Sequence, residues 1–411
     1  MTRPVTHSVR VMSGRDPTEE HRPATSLELL FDLTFVIAFS VAGNEFAHLV
    51  AEGHYRSGLL GFLFAMFGVV WAWINFTWFA SAYDTDDWVY RLTTMVQMTG
   101  VVILALGLPA AFDSIDSGER LDNRVAVFGY VVMRVPMVSQ WLRAAHQDPA
   151  RRRTCYAYAF TITISQIGWV LLLFVDVSAT TMGLLIVMLT LVELTGPVLA
   201  ERKSAGTPWH PHHIAERYGL LAIIALGEVM LGTVASLDAV IDESGWTFDV
   251  ALFVLGGVGL TFGMWWVYFL LPAGEVLAHR RDRSWLWGYG HYFVFASIAA
   301  VGAGLHVVAL YLEHAAHIGA TAVMLSVAIP VAVYFVSLGV LYGNLVGLHP
   351  HMTAVTLSKL GIVVLSVVLA AAGVDLSICV VVIALSPTVS VVAQEMGGRE
   401  RTERLVEEAI R

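Results

Sequence analysis

The chain has 411 residues, 57% of them hydrophobic and 14% charged, with a formal net charge of -9. Soluble domains hold about 45–50% apolar and about 25% charged residues, so this composition excludes a disordered chain, a nucleic-acid-binding module and a secreted disulfide scaffold. It points to a chain solvated mostly by lipid, in which the placement of the charges matters more than their sum.

Residues 1–26 form a polar arm holding Arg3, Arg10, Arg15 and Arg22. No short apolar core followed by a small-residue cleavage site is visible, so no cleavable signal is predicted. From Leu27 onward, twelve apolar segments of about 20 residues are predicted as helices, the length a bilayer requires. They cover 27–50, 58–82, 89–112, 124–145, 153–175, 179–200, 213–237, 248–272, 286–312, 318–343, 352–372 and 374–394. The runs show no period-two alternation, which favours helices over a barrel. The predicted fold is therefore an all-α polytopic membrane protein. Gly373-Val374-Asp375 is the shortest of the separating turns. A linker, 201–212, joins two halves, 27–200 and 213–394, and a charged tail, 395–411, follows. Cys155 and Cys379 each lie in an apolar run and are read as small buried hydrophobes without a disulfide.

Orientation follows from the basic residues. With a cytoplasmic N-terminus, nineteen fall on inner segments, including Arg91, Arg143, Arg151, Arg202, Lys203, Arg217 and Arg280. Only Arg56, Arg120 and Arg124 fall outside. That asymmetry predicts cytoplasmic termini and a cell-membrane location. The outer loops are acidic, with Asp113, Asp116, Glu119 and Asp122 in one and Asp238, Asp242, Glu243 and Asp249 in another. Trp88, Trp141, Trp209, Trp246, Trp285 and Trp287 fall at segment ends and are expected as interfacial anchors.

The two halves share landmarks in order. The stretch Trp71-Ala72-Trp73-Ile74-Asn75-Phe76 corresponds to Met264-Trp265-Trp266-Val267-Tyr268-Phe269, and Gly107 to Gly304. Pro136 corresponds to Pro330, and Pro197 to Pro387. Six spans per half give a parallel repeat, an arrangement that commonly places a substrate or ion site between the halves.

Ionisable residues at membrane depth are costly, so each is a candidate site. Glu28 and Asp32 are four apart and share one face of segment one. Arg134, Glu193, Glu228, His291 and Lys359 occupy later segments. Glu193 precedes Thr195-Gly196-Pro197, where a proline frees a carbonyl and a broken, polar-lined helix is expected. His291 has the alternative of bonding a neighbouring carbonyl, and Asn75 and Gln97 are read as interhelical hydrogen-bond glue. His210-Pro211-His212-His213 lacks the spacing of a metal site, and no metal or other cofactor is expected. Gly259 and Gly263 form a small-xxx-small pair for close packing. No phosphate loop, GxSxG or HExxH is present, so no enzyme is predicted.

Ser26-Leu27-Glu28-Leu29-Leu30-Phe31-Asp32-Leu33-Thr34-Phe35-Val36 resembles the opening motif of the bacterial low temperature requirement protein A family, with Leu30 in place of a phenylalanine and Thr34 in place of a valine. Glu216-Arg217-Tyr218-Gly219-Leu220 and Leu226-Gly227-Glu228 resemble that family's second-half signature. The resemblance implies a membrane protein tied to growth in the cold and names no activity. Leu30-Phe31-Asp32, followed by Phe35-Val36-Ile37-Ala38, is also similar to the first helix of two-repeat endolysosomal-type potassium channels. The serine of that motif is missing, and segment seven has no Phe-x-Asp.

The expected function is a transporter or ion/proton-coupled carrier. In it, Asp32 or Glu228 takes a proton or cation, and Arg134 or Lys359 competes for or pairs with that carboxylate, the alternative for both being a structural counter-ion that fixes helix packing. The alternatives are a cation channel, or a regulatory or structural membrane protein. The expected partners are the lipid bilayer and an unidentified ion or small solute, with no nucleic acid and with a homo-oligomer left open.

Overall fold

The structure is a computed structural model that describes residues 9–19, 22–203, 205–235, 241 and 245–410. Arg3, Asp238, Asp242 and Glu243 lie outside the described residues. Among the described residues every regular element is helical. In chain order these are α1 (Ser26–Ala51), α2 (Tyr55–Tyr83), α3 (Trp88–Leu106), α4 (Leu108–Asp116), α5 (Arg124–Gln147), α6 (Arg152–Leu172), α7 (Ala179–Glu201) and α8 (Pro211–Ala235). They continue as α9 (Phe248–Tyr268), α10 (Ala273–His279), α11 (Ser284–Leu312), α12 (Ala320–Val346), α13 (Pro350–Ala371), α14 (Leu376–Ala384), α15 (Thr388–Ala393) and α16 (Arg399–Ile410). By length and composition, twelve helical stretches can cross a membrane. Their outer faces carry large apolar side chains, among them Phe160, Leu184, Phe262 and Leu357, each more than half exposed. So much exposed hydrocarbon suits lipid and not water.

Local chemistry sets the helix ends. Asp87 caps α3 by accepting from the Tyr90 N–H at 2.9 Å, and Asp375 caps α14 by accepting from the Ser377 N–H at 2.8 Å. Gly373 makes the short turn between α13 and α14 with φ +83°, a region open to glycine at little cost.

Three boundaries differ from the sequence expectation. The third span runs on through α4, because Gly107 ends α3 while Leu108-Pro109 starts a new turn where a proline loses nothing. Asp113 and Asp116 are therefore helical and not in a loop. The expected break at Pro197 does not occur: α7 is continuous through it, and Thr195 Oγ1 donates to the Leu191 carbonyl at 2.8 Å. The break falls at Pro387 instead. There Pro387 has no N–H for the Ile383 carbonyl, and Ser386 Oγ donates to it at 2.6 Å.

Two further expectations are corrected. Trp141, Trp209 and Trp287 are buried core residues and not interfacial anchors. Trp141 stacks on Tyr158 with ring centroids 4.2 Å apart, and Trp287 packs on His291 at 4.4 Å. Arg217, expected among the cytoplasmic loop charges, is fully buried inside α8.

The chain divides into two compact units. The first comprises Met1–Ala38 and Trp71–Ile214, and the second Phe39–Val70 and Ala215–Arg411. In the first, Gly107 faces the backbone of Ala126 at the start of α5. In the second, Gly304 of α11 faces the backbone of Ser326 in α12. Neither position has room for a Cβ. Asn75 bonds its own helix, donating to the Trp71 carbonyl at 2.7 Å. Gln97 does bridge helices, donating to Gln140 Oε1 of α5 at 2.9 Å.

The small-residue pair on α9 supports a graded test. A Cβ on Gly263 would stand 2.6 Å from the Pro387 ring, whereas one on Gly259 meets only Ala384, at 3.9 Å. Gly263→Ala is expected to destabilise the chain by about 1–3 kcal/mol through overpacking, and Gly259→Ala to be neutral or stabilising. Thermal unfolding of both variants in detergent checks the order, and equal midpoints would refute this packing.

Candidate functional site

The first unit holds four of the seven candidate residues. Glu28 lies in the first turn of α1, where Thr25-Ser26-Leu27-Glu28 forms a capping box. The Thr25 N–H donates to Glu28 Oε2 at 2.8 Å, and the Glu28 N–H donates to Thr25 Oγ1 at 3.2 Å. His213 Nε2 hydrogen-bonds the same oxygen, Oε2, at 3.3 Å and lies 3.2 Å from the other, Oε1, and both side chains are fully buried. His213 is the third residue of α8, 185 positions away in the chain.

Around this pair the same unit gathers further charge. Arg22 is buried, donates to the Ala80 carbonyl at 2.6 Å and interacts electrostatically with Glu28 and Asp84. The Asp84 carboxyl, just past α2, is pushed up to about 7, first by burial and next by the Glu28 charge. His210 Nδ1 accepts from the His213 N–H at 3.2 Å, so the proton sits on Nε2, which donates to the Glu19 carbonyl at 2.8 Å. Burial lowers the pKa of His210, consistent with a neutral ring.

One turn into the helix from Glu28, Asp32 is fully buried, and its Oδ1 accepts from the Trp73 indole N–H at 2.6 Å. That contact tolerates either protonation state, because an indole N–H bonds a carboxylate oxygen or the carbonyl oxygen of the acid equally well in geometry.

Arg134 and Glu193 form a separate buried pair. Arg134 Nη2 lies 3.0 Å from Glu193 Oε2, and the side chains are 4% and 3% exposed, which marks a desolvated ion pair. The same carboxylate oxygen accepts from the Trp71 indole at 2.7 Å, while Arg134 Nη2 also reaches the Tyr130 hydroxyl at 3.2 Å. Glu193 Oε1 and Arg134 Nη1 are buried without a hydrogen-bond partner among the described residues. A cavity of about 10 Å³ beside Glu193, lined by Asn75, Tyr158, Thr161 and Ser165, is the size of a single water site.

The second unit holds the other three candidates and does not join them. Glu228 is half-buried in α8, and His291 and Lys359 lie in α11 and α13. His291 Nδ1 donates to the Trp287 carbonyl at 2.7 Å, so Nε2 accepts from the Tyr268 hydroxyl at 3.0 Å. Tyr218 packs on the same ring at 4.8 Å. Both ring nitrogens are thus occupied by fixed partners, which is the carbonyl-bonded alternative for this residue. Lys359 is 5% exposed and holds its ammonium 4.5 Å from the Phe335 ring centroid. No carboxylate pairs with it among the described residues.

Sequence reasoning missed His213, Asp84, Trp71 and Trp73 as site residues. His213 is visible in the sequence only as part of a histidine-rich turn, and nothing local ties it to Glu28.

The pH response of the cluster has a definite sign. The carboxyl of Asp84 is raised in the folded chain, so between about pH 4 and pH 7 the folded state binds more protons than the unfolded one. Stability from this group is full below that window and is lost as pH rises through it. Asp84→Asn keeps an oxygen for the Asp86 N–H, which Asp84 accepts at 2.8 Å. The variant is expected to unfold at a higher temperature than wild type at pH 8 and at the same temperature at pH 4. Equal midpoints at pH 8 would refute the assignment.

The sequence profile of the bacterial low temperature requirement A protein (LtrA) matches residues 23–392 of this chain. The chain belongs to that family. It is similar to an uncharacterized protein of Rhizobium meliloti (strain 1021), at 26% identity over 319 residues, covering 71% of this chain and 70% of the relative. No solved structure matches it.

Proposed function

We propose that this member of the low temperature requirement A family is a proton- or cation-coupled carrier of the cell membrane, with both termini cytoplasmic. Its coupling groups are Glu28, His213 and Asp32. The observation that carries this reading is the Glu28–His213 pair: an acid and a base 3.2 Å apart, fully buried, on two helices that are each long and apolar enough to span.

The chemistry follows from the low dielectric around the pair. A carboxylate and an imidazole that share one proton form a pair of no net charge. A second proton leaves a buried positive charge, which is expensive until an anion, a lost cation or a movement of the helices offsets it. Proton uptake is thereby tied to a second event, which is the basis of coupling. Asp32, one turn along the same face, is the next acceptor on the path. Arg134 is committed to Glu193, so it acts as a fixed counter-ion and not as a competitor for Asp32. The orientation rests on the basic residues, which stay strongly asymmetric once Arg217 is removed from the loop charges.

Proteoliposomes under an imposed pH gradient test the proposal. Vesicles carrying the wild-type chain are expected to collapse the gradient faster than protein-free vesicles, and equal rates would overturn the carrier reading. Unitary currents in a planar bilayer would make the protein a channel instead.

A further inference from the structure

We infer that the second unit carries a binding site for one anionic phospholipid, with the phosphate held by Lys359, Arg401 and Arg404. A cavity of about 590 Å³ lies among the ends of α9, α12 and α13, the α15 turn and the tail helix α16. That volume falls in the range of about 300–1,000 Å³ usual for small-molecule sites. Its wall is largely aliphatic, with Leu270, Leu338, Val340 and Leu360 among the lining residues. Lys359, Arg401 and Arg404 also line it, against a single carboxylate, Glu408.

Lys359 is the anchor. Its side chain is more than nine-tenths buried, it lines the cavity, and its ammonium rests over the Phe335 ring. A cation–π contact offsets only part of the cost of burying an ammonium, so the site calls for an anion. Arg401 and Arg404 add two exposed guanidinium groups, which suit phosphate oxygens through paired N–H donors. The aliphatic wall suits an acyl chain and gives an inorganic anion nothing. An anionic phospholipid satisfies both halves of the lining.

Chain topology agrees. The lining comes from the ends of spans eight, ten and twelve and the start of span eleven, with the tail beyond. Alternating spans bring all of these to one membrane face. The basic residues assign that face to the cytoplasm, where anionic lipid is found. The site involves none of the residues proposed for proton coupling.

Native mass spectrometry of the full chain in a neutral detergent tests the site, with phosphatidylglycerol and phosphatidylcholine as the titrated lipids. Phosphatidylglycerol is expected to bind about tenfold more tightly than phosphatidylcholine, and Lys359→Met is expected to remove that preference. The double variant Arg401→Gln/Arg404→Gln changes only exposed side chains, and it decides the matter if Lys359→Met fails to fold. It is expected to weaken phosphatidylglycerol binding by a similar factor. Equal binding of the two lipids by wild type, or undiminished phosphatidylglycerol binding by the double variant, would overturn the inference. Displacement of the lipid by millimolar inorganic phosphate would overturn it too, since it would make the site a plain anion site.

Discussion

Arg134→Ala is expected to destabilise the chain by about 3–5 kcal/mol, a larger loss than the overpacking at Gly263. The cost comes from what the truncation leaves behind. Glu193 would keep its Trp71 hydrogen bond and lose the guanidinium 3.0 Å away, at a site with almost no exposure. Its Oε1 already lacks a hydrogen-bond partner among the described residues. A carboxylate so placed must stay charged in a poor dielectric or take up a proton, and both are costly. Replacing both partners by Arg134→Met and Glu193→Leu is expected to recover most of the loss, because a buried pair itself adds little net stability. Denaturation in mixed micelles of the single and double variants reads this directly. Wild-type stability in Arg134→Ala would mean that the pair is hydrated.

Asp32→Asn is expected to lower proton flux by about a hundredfold or more, the scale of a lost proton-transfer group, with little change in stability. The substitution is nearly isosteric and preserves an oxygen acceptor for the Trp73 indole, which approaches Asp32 at 2.6 Å. It removes the ability to exchange a proton and leaves the packing around the Trp73 indole intact. Flux in reconstituted vesicles and the unfolding midpoint in detergent must be read together. A loss of both would place Asp32 among structural residues, and retention of flux would remove it from the path.

Much of the fold is legible because span length and apolarity are properties of contiguous sequence. Twelve long apolar runs can satisfy their backbones in lipid only as helices. The errors fall where a partner distant in the chain decides the outcome. Arg217 reads as a loop charge because it sits near the start of α8, yet it is fully buried. Trp141 sits where an anchor belongs, but Tyr158 in the next helix claims its face. Pro197 and Pro387 look alike in sequence. The first is carried inside a continuous helix, and the second ends one beside a serine that bonds the freed carbonyl.

The candidate site is half legible. Buried carboxylates announce themselves in an apolar run, which picks out Glu28, Asp32 and Glu193. Which base or cation faces each is hidden, since His213 and Glu28 are 185 residues apart and Arg134 and Glu193 are 59 apart. Glu28 also carries a local explanation in its capping box, whose acceptor oxygen, Oε2, is shared with His213.

Proton flux under one imposed gradient, read side by side for wild type, Glu28→Gln and Glu228→Gln, tests the assignment of coupling to the first unit most directly. Gln at position 28 keeps the capping box and removes the acid, while Glu228 is a half-buried carboxylate of the second unit. Glu28→Gln is predicted to fall to the rate of protein-free vesicles, with Glu228→Gln at the wild-type rate. Wild-type flux in Glu28→Gln would contradict it.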